Sequence, residues 1–380
     1  MAQRHYPGET IGIIGESISS AILAQEAGRL GYRVGNLVIH EDNPIRQFAS
    51  WQVVVNTLDQ ETLEYFASRV DLVVVEKGLL TNQQFNILAQ QTDLTLSEDL
   101  RAITTDRLIE KAYLDAHRIL VAPFSLVTSL TDIKEAIEYI GFPAVLKSSQ
   151  RHLQDAKEHV FLYSTEDYPQ AEEKLQRGSC ILESWIPTEK RVSLTAVRNE
   201  RGEILIYPIF EIVNQGFASG EQVRYPAQVD EYITQEMFRI AHQLADDLHL
   251  IGSLTLTFLV TAAGVIYLNG ASIGLSSEAM FTIGSMSVSH FEATIRAYVG
   301  LPLPKLRIQH PAAISYPLEA LNKESVMTQY MLRTDWGFAL FNSYLSASPN
   351  LLGQVVVTGD SLESCQRQVE ITNLLAESSL

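Results

Sequence analysis

The sequence predicts a mixed protein: a doubly wound α/β layer first, then α+β regions that become rich in strand. Three observations lead there. Short apolar runs alternate with helical stretches over the first quarter of the chain, strand-like strings crowd the sequence from Arg191 onward, and 380 residues suffice for two or three domains. A composition 46% hydrophobic and 19% charged is enough to build a real core.

Residues Thr10–Gly15 (TIGIIG) form an apolar run of the buried parallel-strand type. The helical stretch Ser19–Gly31 ends on a glycine suited to a helix C-terminus. A second strand at Arg33–Ile39, a helix near Glu61–Ser68 and a third strand at Asp71–Val75 continue the alternation that a doubly wound layer requires. This first, Rossmann-like domain is expected to span residues 1–97.

Residues Asp106–His117 read as a helix, and Pro123 opens a new region. PAVLK (Pro143–Lys147) and CILESW (Cys180–Trp185) are short strands, and the polar stretch Ser148–Glu158 between them reads as a hairpin loop. Further on, RVSLTAV, EILIYPIF, SLTLTFLV and VIYLNGA are strand-like, with RGE and AAG as turns and one amphipathic helix at Ile233–Leu248. The last region carries strands at AAISYPL, FALFNSYL and GQVVVTG and a closing helix near Leu362–Ala376. Domains at 98–300 and 301–380 are therefore expected, the second small and β-rich.

The chain carries 28 Lys and Arg against 45 Asp and Glu, a net charge of −17, and such a field repels nucleic acid and anionic membrane. Neither is expected as a partner. No apolar run approaches the ~20 residues of a membrane span, and the opening residues lack the apolar core of a signal peptide. Cys180 and Cys365 lie far apart and outside any CxxC pair, as in a reducing, cytoplasmic setting. The nine histidines show no metal-ligand spacing, and no GxSxG is present.

Several strings in this order, DRLIEK (Asp106–Lys111), LVAPF (Leu120–Phe124), GFPAVLK (Gly141–Lys147), CILESWIP (Cys180–Pro187), GLPLP (Gly300–Pro304) and GQVVVTG (Gly353–Gly359), resemble the 5-(carboxyamino)imidazole ribonucleotide synthases of purine biosynthesis. The likeness runs along nearly the whole chain. It implies the ATP-grasp fold, with a lid at about residues 115–185. It also implies a ligase that joins aminoimidazole ribonucleotide to bicarbonate with ATP and magnesium, working as a homodimer.

The resemblance makes Arg107 and Lys147 the phosphate-facing cations, although Lys147 also reads as a solvated strand-end lysine. It places Asp155 and Lys157 in the lid loop, whose glycines have become Leu153, Ala156 and Glu158. Glu183, Ser184, Trp185 and Ile186 read either as the linker that meets adenine or as a plain buried strand. Arg191 stands where a carboxylate would hold the ribose, with Glu189 as a substitute on the same face. Two magnesium carboxylates are replaced by Thr257 and Gly270, leaving Asn269, and Glu278 reads either as a relocated carboxylate or, by preference, as a solvent-facing loop residue.

The second substrate's positions have changed as well. An arginine has become Gly274, histidines have become Ser276, Met280 and Asn214, and a cation pair has become Asn350 and Leu351. Glu211 is kept. A glycine-rich phosphate loop reads Gly15–Ser20 with Glu16 inside it, which places a like charge there or simply stabilises a helix start.

Three functions are consistent with these residues. The leading one is a synthase-like protein with its catalysis lost or strongly impaired, in which no magnesium carboxylate remains. The others are an active ATP-grasp ligase with altered substrate or metal site, and a purely structural subunit.

Overall fold

The structure is a computed structural model that describes residues 4–151, 159–213, 221–319, 323–341 and 351–372. The apolar runs of the first hundred residues form a five-stranded, all-parallel sheet. Its strands are β1 (Thr10–Ile14), β2 (Arg33–Val38), β3 (Trp51–Val54), β4 (Leu72–Val75) and β5 (Asp93–Leu94), in the order β3-β2-β1-β4-β5. Helices α1 (Ile18–Arg29), α2 (Gln60–Ala67) and α3 (Asn82–Ala89) make the crossovers. β1 and β4 are buried almost throughout because helices cover both faces of such a sheet, which is why they read as continuous apolar runs. β3 and β5 escaped the sequence reading. One is half-buried at a sheet edge and the other is two residues long, so neither carries a buried run.

Helices α4 (Glu98–Thr105) and α5 (Arg107–Ala116) follow, separated by Asp106 in an extended conformation. The Asp106 carboxylate accepts from the amides of Leu108 and Ile109, capping α5 and setting where it starts. A four-stranded antiparallel sheet comes next, in the order β6-β9-β7-β8. Its strands are β6 (Phe124–Val127), β7 (Ala144–Ser148), β8 (Val160–Leu162) and β9 (Cys180–Ser184), with α6 (Leu130–Ile140) and α7 (Tyr168–Leu175) between them. β7 and β8 are paired neighbours, as a hairpin requires; residues 152–158 of the connection lie outside the described residues.

The third sheet has nine strands, ordered β15-β14-β10-β12-β13-β16-β18-β17 with β11 beside β10. They are β10 (Lys190–Arg198), β11 (Ile204–Ile206), β12 (Phe210–Val213), β13 (Gln222–Tyr225), β14 (Gly252–Val260), β15 (Ile266–Ile273), β16 (Ala312–Glu319), β17 (Trp336–Leu340) and β18 (Leu351–Gly359). The string EILIYPIF, expected as one strand, is two: the chain leaves β11 and re-enters as β12 around Pro208, which has no amide hydrogen for a ladder. The strands nearest the C-terminus pair through β13–β16, so they extend the central sheet.

Helix α8 (Glu231–Asp247) lays Ile233, Met237, Ile240, Ala241 and Leu244 along one face, and all are buried in a core shared with β10 and β14. α9 (Thr282–Ser285) and α10 (His290–Tyr298) lead on, and α10 packs on α1. α11 (Lys323–Leu332) and α12 (Leu362–Ile371) complete the described helices, and none of them is long and apolar enough to cross a membrane.

Gly252 begins β14 with φ +111°, and a Cβ there would lie 2.2 Å from the Tyr298 ring. Both the left-handed backbone and the ring exclude a side chain. Gly252→Ala is expected to lower stability by about 3 kcal/mol in urea unfolding.

Candidate functional site

Pleat and helix periodicity aim charged side chains from different sheets at one space. On α5, Arg107, Glu110 and Lys111 fall at spacings of three and four residues and share a face. In the four-stranded sheet, Val145 lies opposite both Phe161 and Glu183, and Lys147 is two residues on, so these side chains share the opposite wall. Register shifts between Thr257 and Phe258 of β14, where Asn269 is the extra residue of β15, a bulge of the kind that re-aims a side chain. The enclosed cavity is about 220 Å³, and Lys77, Arg151, Arg191, Glu221 and Glu278 complete its charged lining.

The carboxylates in it are engaged. Glu183, 3% exposed, accepts from Lys147 Nζ at 3.0 Å through the same oxygen that lies 3.5 Å from Lys111 Nζ. Burial opposes ionisation of Glu183, yet the two ammonium groups outweigh it and hold its carboxyl below the usual range. Burial pushes the Lys111 ammonium down, with Glu183 opposing. Glu110 pairs with Arg151 and accepts from the Ala271 amide at 2.7 Å. Arg191 pairs with Glu221. Arg107 donates to the Ser148 carbonyl at 2.8 Å.

Lys77, in the loop after β4, donates to Ser272 Oγ at 2.9 Å and forms no ion pair among the described residues. Desolvation and then the charge of Arg151 push its pKa down to about 7. Glu278 is pushed up by burial, with Arg191 opposing, and its nearest hydrogen-bonding group is the Thr257 hydroxyl at 3.5 Å.

A second cavity of about 340 Å³ adjoins the first and shares Lys147, His159, Glu183, Arg191 and Asn269 with it. Its other walls are mostly apolar: Ala122, Val145, Phe161, Trp185, Ile186 and Leu259. The Trp185 ring, 46% exposed, meets Phe161 edge-on at 5.4 Å. The Ser184 and Trp185 amides donate to the carbonyls of Pro123 and Pro143, so strand pairing already uses them. An apolar slot opening into a cationic chamber has the shape and polarity of a base joined to phosphates.

Comparison with known proteins places the chain. Residues 112–291 match the ATP-grasp domain family. The N5-carboxyaminoimidazole ribonucleotide synthase of Bacillus subtilis is 30% identical over 306 residues, 80% of each chain. The chain belongs to the N5-carboxyaminoimidazole ribonucleotide synthase family. A Staphylococcus aureus synthase is 24% identical over 95% of this chain and 96% of its own. The crystal structure of the ADP complex of an N5-carboxyaminoimidazole ribonucleotide synthetase superposes with a TM-score of 0.91 at 26% identity, covering all of both chains. The fold is therefore the ATP-grasp fold, with a parallel first sheet and antiparallel sheets after it.

Of the residues that resemblance to this synthase family singled out, the structure brings Arg107, Lys147, Glu183 and Asn269 into one chamber, with Ser184, Trp185 and Ile186 along the slot. Lys147 is paired to a buried carboxylate and is not a solvated strand end. The solvent-facing reading of Glu278 is corrected: it is half-buried and lines the chamber, because the turn Ser277–Phe281 after β15 packs on β13 and β16. Glu189 is exposed and lines neither cavity. Asp155, Lys157, Asn214 and Asn350 lie outside the described residues.

The chamber is not without anionic side chains, since four glutamates line it. They do not make a magnesium site, however. Three are tied to cations and the fourth is pushed toward its neutral form, whereas magnesium takes one or two free carboxylates beside phosphate and water. As placed among the described residues, these acids do not fit that ion.

Sequence reasoning missed Lys77, Glu110, Lys111 and Arg151. Helical spacing from Arg107 pointed to Glu110 and Lys111. Lys77 follows the carboxyl end of a parallel strand, where ligands of such sheets gather. Arg151 carried no signal. At the end of β1, Glu76 accepts from the amides of Glu16 and Ser17 at 3.1 and 3.2 Å and from Ser20 Oγ at 2.9 Å. The Glu16 carboxylate turns away, to the amides of Ile39 and His40.

Because its folded carboxyl titrates below the unfolded value, Glu183 contributes stability above pH ~4.3 that disappears as pH falls through the folded pKa. Glu183→Gln leaves two lysines facing a neutral amide. It is expected to cost about 3–5 kcal/mol at pH 7 and to flatten the acid limb of a stability–pH profile.

Proposed function

We propose that this chain binds a nucleotide but has lost, or strongly impaired, its family's synthesis of N5-carboxyaminoimidazole ribonucleotide from aminoimidazole ribonucleotide, bicarbonate and ATP. The observation that carries this reading is the condition of the chamber's acids. Thr257 and Gly270 stand where the resemblance puts magnesium carboxylates, and Glu110, Glu183 and Glu221 are neutralised by lysine and arginine. With no free carboxylate pair among the described residues, the divalent charge that polarises a γ-phosphate and orients it for attack lacks its usual anchor. The changed residues 274, 276 and 280 weaken the second substrate's site too, and Glu76 occupies amides at the start of α1.

Nucleotide binding is supported by the apolar slot beside cations and by the fold shared with the ADP complex. In this reading Trp185 and Phe161 pack on the base, Lys147 and Arg107 face phosphates, and ATP is a ligand. A second reading is an active ATP-grasp ligase with altered substrate, favoured by the shared chamber of Arg107, Lys147 and Glu183. From the same resemblance we infer a cytoplasmic homodimer, which light scattering would find at twice the monomer mass.

Purified protein given aminoimidazole ribonucleotide, bicarbonate, ATP and Mg²⁺ is expected to release no phosphate above background. Turnover like that of an active synthase overturns the reading. Trp185→Ala is expected to weaken ATP binding roughly tenfold in calorimetry by removing the aromatic face of the slot.

A further inference from the structure

Three of the chamber's four acids are paired with lysine or arginine, and it is rich in fixed positive charge within a protein of net charge −17. Resting on the nucleotide-binding reading above, we propose that it takes the polyphosphate of a nucleoside di- or triphosphate as the free anion, with Lys77 standing in for the metal.

The charge balance inside the chamber differs in sign from that of the chain. Six lysine and arginine side chains line it against four glutamates, a surplus of two positive charges. The surplus is localised. Lys111 and Lys147 share one oxygen of one carboxylate, so two ammonium groups face a single negative charge. Lys111, 2% exposed, makes no hydrogen bond among the described residues, although an ammonium offers three donors. A buried donor left in that state is costly unless a ligand satisfies it.

Lys77 is the other cation with no ion pair among the described residues, and bound phosphate would favour its charged form against the burial that lowers it. It reaches from the end of the parallel sheet to β15, where its ammonium donates to Ser272 Oγ and lies 3.5 Å from the Ala271 carbonyl. This places it one residue from Gly270, one of the two positions without a carboxylate. At Gly270 a Cβ would meet only Glu110 Oε1, at 3.9 Å, so the space beside this backbone is not filled by a neighbouring side chain at Cβ distance.

A bare triphosphate carries several negative charges, and a partly dry cavity holds them only with positive groups at hydrogen-bonding range. Lys77, Lys111, Lys147 and Arg151 provide such groups on two sides. A divalent ion added to the phosphates would meet Lys77 and Arg151 instead of carboxylates. Magnesium is therefore expected to compete with this site for the nucleotide.

Calorimetric titration of the full chain with ATP, and separately ADP, in excess EDTA and in excess Mg²⁺ tests the proposal. Affinity in EDTA is expected to equal or exceed that in Mg²⁺. A loss of about tenfold or more in EDTA overturns the metal-free assignment and leaves the nucleotide reading standing. No binding in either buffer overturns both. Lys77→Met is expected to weaken ATP binding in EDTA about tenfold while the melting temperature holds or rises, since a neutral side chain removes a desolvated charge. Unchanged affinity in a folded Lys77→Met protein also overturns the assignment.

Discussion

One carboxylate organises the site. Glu110 projects from α5, accepts from the Ala271 amide of β15 and pairs with Arg151 just beyond β7. It thereby joins a helix, an antiparallel sheet and the end of a strand in another sheet. Fully buried, it would be a costly charge if any of these partners moved away. The chamber depends on that constraint, because the other charged side chains are carried by the same three segments or by elements packed on them.

The same logic extends through the lining. Glu183 holds two lysines together that would otherwise repel each other in a space of low dielectric. Glu221 does so for Arg191. In each case an acid that could have been a ligand serves to keep cations in place. The resulting lining presents ammonium and guanidinium groups held in place by its own acids.

Core and site place different demands on the chain. Core positions of β10, β14 and α8 answer to volume and apolarity, and they are filled by Val, Leu, Ile, Met and Phe in tight contact. Site position 257 answers to polar partners, its hydroxyl accepting from Ser193 at 2.9 Å and reaching the Glu278 carboxylate at 3.5 Å. Fold alone therefore does not fix what a site does.

The sequence by itself determined the alternation of strands and helices in the first sheet, the position of α8, and the strand-rich character of the rest. Periodicity is a relation between near neighbours, and apolar runs such as TIGIIG and DLVVV record burial directly. Strings such as GFPAVLK also marked residues that the fold gathers into one chamber. Only the tertiary structure decided what those residues do to one another. Lys147 and Glu183 are 36 positions apart, and Glu110 and the Ala271 amide 161. Whether a charged side chain is solvated, paired or left without a partner depends on groups that distant. Glu278 shows the limit: its string leaves it a surface reading, and only the packing of its turn on β13 and β16 brings it to the chamber.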